Sequence, residues 1–75
     1  MSVPSVFDAY VRTAANLNLA CMESAARVVQ LHSVGALPSD VQSAQLFMDD
    51  TVRAFVNHLL SLKLFLTEAA ASPLQ

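Results

Sequence analysis

The chain has 75 residues, of which 55% are hydrophobic and only 13% charged, and its formal net charge is −2. An ordinary soluble domain carries about 25% charged residues, so this surface is poor in charge, which argues against disorder and for burial in an assembly. The four basic residues, Arg12, Arg27, Arg53 and Lys63, are dispersed, so no basic patch exists to release counterions from nucleic acid or to hold an anionic membrane.

In chain order, Met1-Ser2-Val3-Pro4 lacks the positive charge and apolar run of a signal peptide. Ser5 is placed to cap a first helix, with Asp8 near the positive end of the helix dipole. A heptad then sets Phe7, Ala14, Cys21 and Val28 at one seam position and Tyr10, Leu17, Ser24 and Leu31 at the other. Asp8/Arg12 and Glu23/Arg27 are acid-then-base pairs four apart; with Asn16 and Gln30 they mark the solvated face. His32 falls in the last turn, and Gly35, the only glycine, supplies a left-handed stop.

Pro38 disfavours helical geometry at Leu37, and Ser39-Asp40-Val41-Gln42 fits a capping box that opens a second helix. Its expected seam is Val41, Ala44, Met48, Val52, Phe55, Leu59, Leu62 and Leu66. Asp49, Arg53 and Asn57 run along the opposite side, with Asp49/Arg53 a favourable pair. The helix frays at Ala69-Ala70-Ala71 and ends before Pro73. The chain therefore reads as all-α and a single domain over residues 1–75: helix about 6–34, turn 35–39, helix about 40–71.

The second helix carries more apolar residues than one neighbour can cover, since Leu46, Phe47, Val56, Leu60, Leu64 and Phe65 lie outside its seam. Small scaffolds with so thin a core need a staple or oligomerisation. The expectation is an antiparallel helical hairpin that pairs as a homodimer into a four-helix bundle, or assembles further. The interface is placed on the 59–66 block and its neighbour: Phe55, Leu59, Leu62 and Leu66 form the seam, while Leu60, Leu64 and Phe65 face a partner. That partner is another copy, another helical protein or an apolar surface.

Little in the chain supports chemistry. Facing positions in the hairpin sum to roughly 75, which sets His58 against Asn16 and Leu17 and His32 near the turn, ~20 Å or more away. Neither histidine has a ligand partner at helical spacing, so no metal site is expected. Cys21, the single cysteine, is read as a packed structural residue and permits no intrachain disulfide, which fits a reducing compartment. Asp49 and Asp50 are adjacent, and neighbours on a helix diverge too far to act as a paired acid and base. Asn16, Asn18 and Asn57 are candidates for setting register across an interface. No catalytic residue and no cofactor are expected. The longest apolar run, Leu59 to Leu66, is too short for the roughly 20 residues of a membrane span, so a non-enzymatic cytoplasmic interaction module is the reading.

Leu17-Asn18-Leu19, Glu23-Ser24-Ala25-Ala26, and Asp40 with Gln42 and Gln45 after the turn resemble phasins, the helical proteins that coat polyhydroxyalkanoate granules in bacteria. The likeness covers about a third of the chain; the spacing between its blocks differs from the family pattern, and Val41 stands where that pattern has proline. It implies an amphipathic, self-associating protein adsorbed on polymer. Pro38-Ser39-Asp40 also looks like the hairpin turn of type III secretion needle subunits. That likeness implies a secretion-system or chaperone-like hairpin subunit, although the carboxy-terminal helix lacks the polar ending of those proteins.

Overall fold

The computed structural model describes residues 3–71, with side chains described for residues 5–70. Two helices, α1 (Val3–Ser33) and α2 (Pro38–Ala71), pack antiparallel along their length. The result is a rod of 60 × 16 × 15 Å. The expected stop at Pro73 lies outside the described residues.

The turn is built from the backbone. Gly35 has φ +69°, the left-handed conformation that costs an L side chain about 1–2 kcal/mol. Around it the Ala36 N–H donates to the Leu31 carbonyl at 3.0 Å, and the Gly35 N–H to the His32 carbonyl at 3.2 Å. These two bonds are the six-to-one and five-to-two pair of a Schellman motif, and they occupy carbonyls that the end of α1 leaves open. The half-buried Ala36 and Leu31 stand at the two positions that such motifs bring into apolar contact.

Both helix starts differ from the expected ones, for one reason. α1 begins at Val3 and α2 at Pro38, so Ser5 and Ser39 lie inside their helices rather than capping them. Each helix has a proline in its first turn, where the missing N–H has no intrahelical acceptor to lose and the fixed φ is already helical. At α2 the cap position falls to Leu37, whose carbonyl accepts from the Asp40 N–H at 3.0 Å and the Val41 N–H at 3.1 Å. Asp40 then sits in the first turn, favourably placed on the dipole.

The core is thin and lies in the half of the rod nearest the turn. Among the described side chains Val28, Val41 and Ala44 are the buried apolar ones, joined by Ser24. Small side chains at Ser24 and Ala44 let the two backbones come close. The Ser24 hydroxyl donates to the Cys21 carbonyl of its own helix at 2.9 Å, so its burial leaves no open hydrogen-bonding group.

A methyl group added at Gly35 meets nothing within 4 Å. Gly35→Ala is nonetheless expected to destabilise the hairpin by about 1 kcal/mol, because the cost lies in φ and not in space. Urea unfolding followed by circular dichroism measures it; an unchanged midpoint would contradict the assignment of the turn.

Candidate functional site: an aromatic clasp and an open apolar face

Away from the turn, the seam is organised by Tyr10. A helical side chain leans toward its own N-terminus while its carbonyl points the other way. Tyr10 therefore engages two α2 residues seven positions apart. Its ring stacks on Phe65, with centroids 5.1 Å apart, and lies 5.4 Å from the His58 ring. Its carbonyl lies 2.8 Å from His58 Nε2, which donates to it. This register differs from the expected one, in which His58 faced Asn16 and Leu17. His58 is thus held on α1's backbone at Tyr10.

Tyr10 also decides which residues of α2 form the seam. The buried and half-buried set is Val41, Ala44, Met48, Thr51, Phe55, His58, Leu62 and Phe65. Thr51, His58 and Phe65 replace the expected Val52, Leu59 and Leu66, which are 41–45% exposed. Aliphatic content favours the expected set, but Thr51 and His58 bury at little cost because each finds an acceptor. The Thr51 hydroxyl donates to the Phe47 carbonyl at 2.8 Å, as His58 does to Tyr10. The α1 seam follows the expected heptad from Tyr10 to Leu31, while Phe7 is exposed and Val6 is the half-buried residue at that end.

The seven residues expected to form the interface separate accordingly. Phe55 and Leu62 remain half-buried in the seam. Phe65 turns inward onto Tyr10, so it does not face outward. Leu59 and Leu66 move out of the seam to its exposed flank, and Leu60 stands on the outer surface of α2. Leu64 lies on the other side, in a shallow depression with Tyr10, Ser61, Phe65 and Glu68.

The two sides of the rod differ in composition. On one, depressions between the helices are bordered by Arg27, Asp40, Ser43 and the exposed Phe47 near the turn, by Ser61, Leu64 and Glu68 farther out, and by Val6, Ala9 and Thr13 beside Tyr10 and His58. The opposite flanks of both helices therefore share the other side. There α1 presents Val11, Ala15, Asn18, Met22, Ala25 and Val29, and α2 presents Val52, Val56, Leu59, Lys63, Leu66 and Ala70. Each set repeats at alternating spacings of three and four residues, as a second helical stripe does. Except for the half-buried Ala25, all of them are exposed. The α1 half of this surface was missed in the sequence, although its spacing was there to be found.

Among the described residues two ion pairs form, Arg12–Asp8 at 3.2 Å and Arg53–Asp50 at 3.4 Å. The second replaces the expected Asp49/Arg53 pair. Arg53 lies between its two acidic neighbours on the outer surface, and the three-residue spacing to Asp50 is taken. Asp49 is left on the flank beside Gln45 and Leu46. No group of three or more His, Cys, Asp or Glu residues with metal-site geometry occurs among the described residues. No helix of the described chain is long and apolar enough to cross a membrane.

No protein-family model matches the chain, and neither does any curated protein or solved structure.

Tyr10→Ala is expected to cost about 2 kcal/mol, because it removes the ring that fills the seam between His58 and Phe65. Tyr10→Phe should retain most of that, since the stacking surface stays. The two thermal midpoints measure the contrast; equal loss in both variants would argue against ring packing as the cause.

Proposed function

We propose that this hairpin is one half of a larger helical assembly, and that it works as a non-enzymatic, self-associating interaction module in the cytoplasm. One observation carries the reading: a continuous apolar side, contributed by both helices, that nothing in the hairpin covers. The hairpin exposes 5746 Å², whereas a compact protein of its 8.0 kDa mass exposes about 4,500 Å². The excess, about 1,300 Å², belongs to the whole elongated rod, whose grooves are open on both sides. A second hairpin laid on that side makes a four-helix bundle in which Val52, Val56, Leu59 and Leu66 become core.

Sedimentation of the wild type at micromolar concentration is expected to show a dimer or larger species. Leu59→Glu should weaken it by about 2 kcal/mol or more per copy by placing an unpaired carboxylate in the contact. Leu64→Glu, on the other side of the rod, should leave it associated. A folded wild-type monomer would refute the proposal. A loosely packed monomer that binds apolar droplets would replace it with the surface-coating reading that the phasin resemblance implies.

A further inference from the structure

The charges on the apolar side select how two copies meet. α2 carries two of them there, Asp49 and Lys63, and each lies seven residues from Val56. That places them ~10 Å to either side of Val56 along the helix. Both are exposed, and neither takes part in an ion pair among the described residues. We infer that the occupant of the apolar side is a second copy of this chain, laid with its turn at the opposite end, so that α2 pairs antiparallel with α2 about a twofold axis at Val56. This rests on the self-association proposed above and specifies its geometry.

Two observations converge on this arrangement. The first is charge. With the axis at Val56, Asp49 meets the partner's Lys63 and Lys63 meets the partner's Asp49, so both charges find opposites twice over, as an isologous contact requires. The second is length. α2 runs Pro38–Ala71, and reversal about Val56 superposes nearly all of it, setting Gln42 opposite Ala70.

The competing bundle has both turns at one end and lays α2 on α1 of the partner. Tyr10 lies level with residues between His58 and Phe65, so Lys63 would then meet the partner's Asp8. That carboxylate is already held by Arg12. Asp49 would face the α1 stripe near Met22 with no cation opposite. The reversed arrangement pairs every charge on this side; the alternative leaves one unpaired.

Charge reversal and cross-linking test this in the full chain. Lys63→Glu and Asp49→Lys alone should each raise the dimer dissociation constant about tenfold, through two repulsive contacts per dimer. The double variant should return it to within about threefold of wild type. In a Cys21→Ser background, Val56→Cys should oxidise to a covalent dimer, since a residue on the axis meets its own copy, whereas Asn57→Cys, pointing away, should not. Sedimentation and non-reducing gels read the two arms. A wild type that is monomeric would fail the self-association proposal itself. A wild-type dimer in which Asp49→Lys does not rescue Lys63→Glu, or in which Asp8→Lys rescues it instead, would overturn the reversed geometry alone. So would a dimer in which Val56→Cys does not cross-link.

Discussion

Two antiparallel helices can exclude water only along the line where they touch. A third or fourth helix would close the groove on each side of that line; a hairpin leaves both grooves open. The burial pattern shows the limit directly. Among the described side chains only Val28, Val41, Ala44 and Ser24 are buried, and none is fully withdrawn from solvent. Every other property of the structure follows from how the chain spends its remaining apolar residues. One side of the rod receives Val11, Met22, Val52, Val56, Leu59 and Leu66, and the other receives Phe47 and Leu64 among Arg27, Asp40, Ser43, Ser61 and Glu68.

The polar residues within the seam belong to the same economy of surface. Ser24 and Thr51 satisfy themselves on their own helices, and His58 spends its hydrogen bond across the gap. That inter-helix polar contact is directional, and it lies close to the Tyr10–Phe65 stack. Together they fix the sliding register of two helices that a uniform aliphatic seam would leave free to shift by a heptad.

Much of the fold could be read in advance from particular residues. Gly35 announced the turn because left-handed backbone there admits few alternatives, and the α1 heptad from Tyr10 to Leu31 was legible because its apolar and small residues recur without competition. The α2 seam was less legible for a physical reason. Two stripes overlap on that helix, and the more aliphatic of them, through Val52, Leu59 and Leu66, is the one left outside. Hydrophobicity ranks residues one helix at a time, whereas the seam was chosen by a partner, through the ring and carbonyl of Tyr10 on the other helix. The helix starts were misread by about three residues at α1 and two at α2 because serine and proline both signal an N-terminus, and proline's fixed φ prevailed. The surplus of apolar surface was plain from α2 alone. Its continuation on α1 was hidden among alanines, whose small side chains carry little hydrophobic signal yet make a face flat enough to approach.

The grading of the seam along the rod has a dynamic consequence. Near Gly35 the helices are joined by a hydrogen-bonded turn and by side chains small enough to exclude water. Farther out the contact is carried by half-buried rings. Opening the distal half of the hairpin therefore sacrifices less buried surface than opening the proximal half, and the molecule behaves as a clasped fork rather than a uniform rod. Its tines, the beginning of α1 and the end of α2, are the segments with most freedom to splay and to adjust to whatever lies against them, while the handle at the turn stays a fixed unit.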